Sequence, residues 1–264
     1  MNKKTILITG SRRGIGRDTA IKLASMGHHV IATVHHEESV EGLKLYAKEK
    51  GVTLDVFKFD ITDTKDQKII IGLDIDVLIN NAAIGESGPL SEVPLSRVKK
   101  NFETNLFGTL ELTQLALKKM IKKDSGHIIF ISSIAGRLPM SLWGPYSMTK
   151  FSLSAAAYIM RQEIKMVTRN VHISVVEPGT YHTGFNQDVM ATKYTWIDKS
   201  SYFYKLINKI KKQEELTFSL LERKTTRSIV NKIVKAVESN NPRFRYTAPW
   251  WQALFVRIGR IIGI

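Results

Sequence analysis

The chain has 264 residues, a hydrophobic fraction of 43% and no cysteine, which excludes disulfide scaffolds and thiolate metal sites. Its formal net charge is +15, and residues 193–264 carry 15 Lys and Arg against 5 Asp and Glu. No motif of the usual nucleic-acid-binding modules accompanies this charge, so we interpret it as a solvated basic surface and expect no DNA or RNA partner.

The N-terminus and the apolar runs favour a cytoplasmic protein. Lys3 and Lys4 are followed only by "TILIT" before a glycine, which is too short for the apolar core of a signal peptide. No apolar run reaches the roughly 18 residues that a membrane span requires. We therefore expect neither a cleaved leader nor a transmembrane helix.

Short apolar runs alternate along the chain with amphipathic stretches. The runs predict seven strands, "TILIT", "HVIATV", "LDVFKF", "DVLINNA", "HIIFISS", "VHISVVEPG" and "RFRYTA". The intervening stretches predict helices over residues 15–26, 38–50, 94–123, 146–167 and 225–239. This alternation predicts an α/β fold, a single doubly wound Rossmann-like domain whose mostly parallel sheet has helices on both faces.

The first strand leads into a glycine-rich turn, "TGSRRGIG", from Thr9 to Gly16. Such a turn between a strand and a helix lets backbone amides approach a pyrophosphate, and the helix N-terminus adds positive potential. A tight turn without a ligand can contain the same glycines. The position after the first strand of an alternating chain nevertheless favours a dinucleotide site.

A tyrosine and a lysine lie four residues apart in "YSMTK", and Ser133 lies thirteen residues before the tyrosine. If Pro145 opens a helix, Tyr146 and Lys150 share a face, with Cβ atoms roughly 5–6 Å apart. The ammonium group and an oxidised nicotinamide would then lower the pKa of the phenol from about 10. We predict Tyr146 as acid and base, Lys150 as the group that tunes it, and Ser133 as a hydrogen-bond donor to a carbonyl oxygen.

With these motifs in order, the chain resembles the short-chain dehydrogenase/reductase family over roughly residues 3–248. The segments that carry the resemblance are "TGSRRGIG", "KFDITD", "NNAA", "TNLFG", "YSMTK" and "PGTYHT". The chain departs from the family where Ala83 replaces a glycine and Thr149 stands where serine is commoner. The connection between Asp60 and Asp76 is also short, which predicts an abbreviated helix after the third strand.

The resemblance implies which residues bind the cofactor and catalyse the reaction. It adds Asn105 to the catalytic group of Ser133, Tyr146 and Lys150, with a water on Asn105 that relays protons to Lys150. The cofactor-binding residues that it implies are Gly10, Ser11, Arg12, Arg13, Gly14, Ile15, Gly16, His35, Asp60, Ile61, Asn81, Ala82, Tyr146, Lys150, Pro178, Gly179, Thr180 and Thr183.

The end of the second strand predicts NADP(H) as the cofactor. NAD-selective members of the family usually carry an acid there, whereas "IATVHH" places Val34 and then histidines at this point. Arg13 in the glycine turn can contact a 2′-phosphate with its planar guanidinium group. Because cells keep this cofactor pool reduced, net reduction of the substrate is expected.

Four histidines close together suggest a metal site, but their spacing argues against one. His28 and His29 precede the second strand and His35 and His36 follow it, so the two pairs lie roughly 20 Å apart. One ion cannot bind both pairs. We expect surface histidines and no metal, with His35 and His36 near the adenosine ribose.

By resemblance, residues of about 185–222 form a mobile substrate cover. Its large apolar side chains predict a bulky apolar carbonyl substrate of steroid, retinoid or fatty-chain type; they are Phe185, Met190, Tyr194, Trp196, Tyr202, Phe203 and Tyr204. They can also pack on the sheet or on a partner subunit, and a homodimer or homotetramer is expected. Two alternatives for function are a ketoreductase acting on acyl chains of an acidic carrier protein and an NADP-sensing binding module without turnover.

The segment "APWWQALFVRIGRIIGI" extends past the family core, so we expect a catalytic domain over residues 1–248 and an amphipathic tail over 249–264. One face of the predicted helix is apolar and comprises Trp251, Leu254, Phe255, Ile258, Ile261 and Ile262. Docking on the same subunit or across a dimer interface is the preferred interpretation. Peripheral association with a membrane, aided by the local positive charge, is the alternative.

Overall fold

Seven parallel strands form one sheet in the computed structural model, which describes residues 3–263, and their order is β3-β2-β1-β4-β5-β6-β7. The strands are β1 (Thr5–Ile8), β2 (His29–Val34), β3 (Asp55–Lys58), β4 (Val77–Asn80), β5 (Gly126–Ile131), β6 (Val171–Pro178) and β7 (Arg245–Ala248). Every strand pair is parallel. The predicted doubly wound sheet is therefore confirmed, with all seven strands in place.

The helices pack on both faces of this sheet. Those of the described residues are α1 (Gly14–Ser25), α2 (Glu38–Glu49), α3 (Thr64–Lys68), α4 (Leu95–Phe102), α5 (Thr109–Lys123), α6 (Gly144–Val167), α7 (Phe185–Thr192), α8 (Ile207–Leu221), α9 (Arg227–Glu238) and α10 (Trp250–Ile261). A π-helical segment, Glu103–Gly108, separates α4 from α5. As the sequence predicts, the helix after β3 is short, with only 5 residues. No helix within residues 3–263 is long and apolar enough to cross a bilayer.

Alternate residues of each strand serve two separate core layers, because successive side chains point to opposite faces of a sheet. Ile6 and Ile8 of β1 pack in a buried cluster with α1, α2 and α9. Leu7, between them, packs in a second cluster with α5 and α6. Since both faces are covered, ligands can reach the sheet only at the edge where the strands end, and the predicted functional segments follow those ends.

The expectation that all four clustered histidines lie at the surface is wrong for His28. Its side chain is 1% exposed, and its Nε2 atom lies 2.9 Å from Oε1 of Glu238 at the end of α9. His29, His35 and His36 are exposed, as expected. His28 lies in the turn between α1 and β2, and this turn is next to the end of α9.

Candidate active site

The glycine turn after β1 approaches two other segments so closely that side chains would not fit. Gly10 and Gly14 have φ angles of 69° and 62°, in the left-handed region that favours glycine. A Cβ on Gly10 would lie 2.7 Å from Cα of Ala82, and one on Gly14 would lie 2.9 Å from Cβ of Thr183. The turn therefore brings together the segments that follow β1, β4 and β6. Gly16 packs in the same way against the side chain of Asn81.

Hydrogen bonds fix the backbone of this turn. The amide of Asn81 donates to the carbonyl oxygens of Thr9 and Gly10, both at 2.9 Å. The Thr9 hydroxyl accepts from the backbone N–H groups of Asn81 and Ala82, both at 3.0 Å. Ala83 is not among the non-glycine residues with positive φ in the described chain, so it does not require the family's glycine.

The start of α1 provides donors of the kind that a phosphate binds. The helix begins at Gly14, and no side chain caps it. Its first-turn amides therefore receive no capping hydrogen bond from the side chain of Arg13, and they carry the positive end of the helix dipole. The positive φ of Gly14 and the tight contact with Thr183 leave only backbone at this point, which fits a pyrophosphate. Ile15 is partly buried against the core, and the Ser11 hydroxyl donates to Ile8 O.

His35 and Asp60 lie together at the ends of β2 and β3, where the resemblance puts the adenosine. His35 Nδ1 is 3.8 Å from Asp60 Oδ2. Asp60 Oδ1 accepts hydrogen bonds from the N–H and the hydroxyl of Thr62. Partial burial opposes the charge of Asp60, but these hydrogen bonds and His35 hold its pKa below the ordinary value. Ile61, which follows, is buried.

The two arginines of the glycine turn differ in their surroundings. Arg12 is exposed. The guanidinium group of Arg13 forms an ion pair with Asp188 of α7, in the segment predicted as the substrate cover. A cavity of about 660 Å³ adjoins the turn, lined by Arg13, Gly14 and Arg17 among others, and it does not reach Tyr146. Sequence analysis did not predict that Arg13, the candidate for binding a 2′-phosphate, would contact the cover.

Helix α6 carries Tyr146 and Lys150 on one face. The helix begins at Gly144, with Pro145 in its first turn, as predicted. Lys150 Nζ lies 5.7 Å from the centroid of the Tyr146 ring and donates a hydrogen bond of 2.8 Å to Ile131 O. Lys150 is 3% exposed and Tyr146 is 8% exposed. Both titratable groups are thus enclosed by protein.

Burial, and not the ammonium group, dominates the titration of Tyr146. It raises the pKa of the phenol to about 12, and a hydrogen bond with Ser133 only partly opposes this effect. Burial also lowers the pKa of Lys150 to about 8. The ammonium group of Lys150 therefore does not lower the pKa of the phenol as expected, and the effect of an oxidised nicotinamide on it stays a prediction. At neutral pH the phenol carries its proton, which is the form that a general acid requires.

Ser133 follows β5 and reaches Tyr146 through its hydroxyl group. Its backbone is extended, and its Oγ accepts a hydrogen bond of 3.1 Å from the N–H of Ala135. Because that N–H holds one lone pair of Oγ, the hydroxyl hydrogen is free to point toward an acceptor. Ser133, Tyr146 and Lys150 therefore occupy one site.

Asn105 lies in the π-helical segment, a feature that often occurs at functional sites. Its Oδ1 accepts from the N–H of Ile84 at 2.9 Å, and its Nδ2 donates to Ile84 O at 2.8 Å. Nδ2 also donates to the hydroxyl of Thr149, which itself donates to Tyr146 O. Thr149 thus connects Asn105 to the backbone of Tyr146.

An apolar wall surrounds the ring of Tyr146. The ring centroids of Trp143 and Phe185 lie 6.0 and 5.6 Å from that of Tyr146, and Phe218 stacks on Trp143 at 5.2 Å. This buried cluster, which we call the Tyr146 pocket wall, comprises Ala135, Trp143, Tyr146, Val189, Met190 and Phe218, with Met140, Leu142 and Phe185 packed against it. The side chain of Tyr146 therefore faces hydrocarbon from the loop before α6 and from both helices of the cover.

Only two of the seven apolar cover residues named from the sequence join this wall, Phe185 and Met190. Tyr194 donates to Glu214, and Trp196 packs on Gly88. Phe203 is partly buried elsewhere; Tyr202 and Tyr204 are exposed. Sequence reasoning missed Trp143 and Phe218. Trp143 lies directly before "GPYSMTK", so its position next to the tyrosine was the signal that could have identified it.

The segment after β6 is fixed by a glutamine of the C-terminal helix. Thr180 N–H donates to Gln252 Oε1 at 2.8 Å, and Gln252 Nε2 donates to Thr180 Oγ1 at 2.7 Å and to Leu221 O at 3.0 Å. Gln252 also packs on Gly179, which follows Pro178 at the end of β6. The domain boundary that we predicted at residue 248 would assign Gln252 to the tail and Thr180 to the catalytic domain, although the two residues are hydrogen-bonded to each other. The signal that could have revealed Gln252 is a lone amide in an apolar stretch.

Comparisons with known proteins agree with this architecture. The family model for short chain dehydrogenases matches residues 4–193. The 3-ketodihydrosphingosine reductase of Bacteroides thetaiotaomicron is 30% identical over 261 residues, which cover 97% of this chain and 92% of that protein. Retinol dehydrogenase 8 of Homo sapiens is 32% identical over 195 residues, covering 71% of this chain and 62% of that protein.

A solved structure extends the likeness to nearly the whole fold. A short chain dehydrogenase/reductase from Burkholderia phymatum in complex with NAD superposes with a TM-score of 0.83, covering 98% of this chain and 94% of that one. The two sequences are 18% identical. At that identity the superposition supports the fold, and it includes the region of α10, beyond the part that the family model matches.

Proposed function

Because the chain belongs to the short-chain dehydrogenase family, we propose that it is an NADP(H)-dependent oxidoreductase that reduces a carbonyl on a bulky apolar substrate to an alcohol. The observation that carries the substrate class is the Tyr146 pocket wall, in which aromatic and aliphatic side chains enclose the phenol. A steroid, a retinoid or a fatty chain could bury its surface there, whereas a polar sugar would lose hydrogen bonds to water without replacement.

The two relatives support this substrate class by their names. One is named for a ketone on a sphingoid chain and the other for retinol. Both names describe compounds with long apolar frameworks, on which one carbonyl or alcohol group is reduced or oxidised. A wall such as that around Tyr146 suits such frameworks, because aromatic and methionine side chains provide apolar contact with few polar requirements.

The proposed mechanism assigns a separate task to each side chain. When bound, the reduced nicotinamide would supply a hydride to the carbonyl carbon. Ser133 would donate a hydrogen bond to the carbonyl oxygen, and Tyr146 would give that oxygen its proton. Lys150 would stabilise the resulting phenolate and bind the nicotinamide ribose. Asn105 would hold the water that returns a proton through Lys150.

The preference for NADP(H) is supported by the charges around the glycine turn. The first two residues after β2 are His35 and His36, where NAD-selective members of the family usually carry an acid. Arg13 has a guanidinium group within reach of the turn, although it is paired with Asp188. We propose that a 2′-phosphate draws Arg13 from Asp188, since a charge-assisted bond to a dianion is stronger than one to an exposed carboxylate.

The Arg13→Ala variant is expected to bind NADPH about 10- to 100-fold more weakly, as lost charge-assisted hydrogen bonds imply. Its affinity for NADH should change little, because NADH lacks the 2′-phosphate. Asp188→Asn should bind NADPH at least as well as the unaltered protein, since it frees Arg13. Titration of cofactor fluorescence measures these three affinities, namely those of Arg13→Ala for NADPH and NADH and that of Asp188→Asn for NADPH. Unchanged NADPH affinity in Arg13→Ala, or equal use of NADH and NADPH by the unaltered protein, would refute this preference.

A panel of carbonyl compounds tests the substrate class. With NADPH in excess, kcat/KM is expected to rise with apolar size, from small hydroxy-acid and sugar ketones to steroid, retinal and long-chain 3-keto compounds. Phe218→Ala removes part of the pocket wall and should reduce kcat/KM for the bulky substrates more than for a small ketone. Activity confined to small polar carbonyls would rule out the proposal.

The same panel separates the two alternatives. A ketoreductase of the acyl-carrier type would prefer acyl chains on an acidic carrier protein over the free thioester, because the carrier would pair with the basic surface. A binding module would show cofactor affinity without oxidation of NADPH by any compound. Joint enclosure of Ser133, Tyr146 and Lys150 in one site favours turnover over mere sensing.

Self-association is also part of the proposal. The outer side of α6 exposes apolar side chains that include Met148, Phe151, Ile159 and Met166. Phe107 of the π-helical segment is exposed as well. Burying such side chains against a second copy is favourable, so a homodimer or homotetramer remains our expectation.

A further inference from the structure

The C-terminal helix α10 docks on the subunit through a narrow side and leaves its broad apolar side uncovered. Gln252, Val256 and Gly259 are the residues buried in the contact. The exposed side consists of large apolar residues, of which Trp250 is 75%, Phe255 64% and Ile261 76% exposed. We call this side the α10 apolar face; it comprises Trp250, Leu254, Phe255, Ile258, Ile261 and Ile262. The helix thus packs on its own subunit, but not through the face predicted from the sequence. Five of the six residues of that predicted face are exposed, namely Leu254, Phe255, Ile258, Ile261 and Ile262.

The charge beside this face is uniformly positive. Residues 239–264 contain Arg243, Arg245, Arg257 and Arg260 and no acidic residue. Arg257 and Arg260 are exposed, next to the apolar face on the helix. Arg260 also lies near Arg137. Burial is the main cause that lowers the pKa of Arg137, and the charge of Glu177 opposes it. The positive charges of Arg245 and Arg260 lower this pKa further.

Glu177 is the acidic side chain beside Arg137 and Arg245. It is fully buried and pairs with both Arg137 and Arg245. Its single negative charge cannot neutralise the guanidinium groups of Arg137, Arg245 and Arg260. An excess of positive charge therefore remains on the flank of α10. Anions at the protein surface are attracted to such an excess, most strongly at low ionic strength.

We propose that the α10 apolar face binds the surface of an anionic lipid bilayer, with the helix in the plane of the interface and its arginines at the headgroups. A second copy of the chain is a poorer occupant. A two-fold contact would bring this arginine-rich flank against itself without any acid of the segment to offset the repulsion. In a bilayer, anionic headgroups would neutralise the charge of the arginines, and the apolar residues would be buried among the acyl chains.

The position of α10 gives this contact a consequence for catalysis, which rests on the proposed function. Gln252 holds Thr180 after β6, and a Cβ on Gly259 would lie 3.4 Å from Leu138 in the loop between Ser133 and α6. The helix that carries the membrane-binding face therefore packs, through its docked side, against two segments of the active site. An apolar substrate dissolved in the bilayer could enter next to these segments without crossing water.

Flotation of the full chain with lipid vesicles tests the proposal. We expect the protein to float with vesicles containing phosphatidylserine at low salt, and much less with pure phosphatidylcholine or at high salt. The variant Phe255→Ser/Ile258→Ser/Ile261→Ser keeps the docked side and should lower the partition coefficient about tenfold or more. A matched control, Leu45→Ser/Ile69→Ser/Ile71→Ser, removes exposed apolar residues elsewhere and should float like the unaltered protein.

Charge variants give a second measurement in case the triple variant does not fold. Arg257→Gln/Arg260→Gln should lose about tenfold in binding to anionic vesicles at low salt, while Lys44→Gln/Lys48→Gln on α2 should not. No flotation of the unaltered protein, or equal flotation of the α10 and control variants, would overturn the proposal. So would an α10-dependent dimer that does not bind vesicles. Flotation needs no turnover, so its outcome is independent of the proposed reaction.

Discussion

Replacing Tyr146 by phenylalanine is expected to lower turnover by about 10²–10⁴, the usual contribution of a positioned acid or base. The phenol is enclosed, and its pKa is raised to about 12, so it holds the proton that the reduced oxygen needs. Phenylalanine keeps the ring in the pocket wall, and NADPH should bind as before. Turnover with NADPH and a bulky ketone, together with fluorescence titration of NADPH, measures both quantities.

Tyr202→Phe is the matched control for this substitution, because Tyr202 is an exposed tyrosine of the cover. Its turnover should equal that of the unaltered protein. If Tyr146→Phe also kept near-normal turnover, a different group would have to supply the proton, and the mechanism would be wrong.

Replacing Lys150 by alanine is expected to damage both turnover and NADPH binding. The ammonium group is buried, is held by Ile131 O and lies below the Tyr146 ring, where it can stabilise a phenolate. Its removal should reduce turnover by about 10²–10⁴ and weaken NADPH binding about tenfold, the scale of a lost hydrogen bond from a charged group. Steady-state kinetics and cofactor titration give the two values.

Lys165→Ala is the control on the same helix, since Lys165 is exposed. It should leave turnover and cofactor binding unchanged. Undiminished turnover in Lys150→Ala would remove the lysine from the mechanism, and loss of turnover alone would remove its contact with the ribose.

The sheet and its order of elements follow from local patterns, which explains why they were predictable. Near-continuous apolar runs mark strands covered on both faces, and a glycine turn marks the close approach of Gly10 to Ala82. Tyr146 and Lys150 lie one helical turn apart, so their proximity depends only on α6 being a helix. Ser133 could be placed at the same edge because it follows a parallel strand.

What could not be predicted depends on contacts between distant segments. The pKa of Tyr146 is set mainly by burial, which the surrounding chain determines. Arg13 pairs with Asp188, which is 175 positions away, and Gln252 holds Thr180 across 72 positions. Neither pair leaves a periodic signal in the sequence. The apolar residues of α10 indicated an amphipathic helix, but the sequence could not show which side docks.

Transfer of isotope from cofactor to product tests the central claim, reduction of a carbonyl by NADPH in this site, most directly. NADPH deuterated at the transferable position of the nicotinamide should be incubated with the protein and a bulky apolar ketone, and the alcohol analysed by mass spectrometry. The account predicts one deuterium on the carbinol carbon, formed by the unaltered protein and by Tyr202→Phe but scarcely by Tyr146→Phe. NADPH binding without deuterated alcohol from any apolar carbonyl, or equal product from Tyr146→Phe, would contradict it.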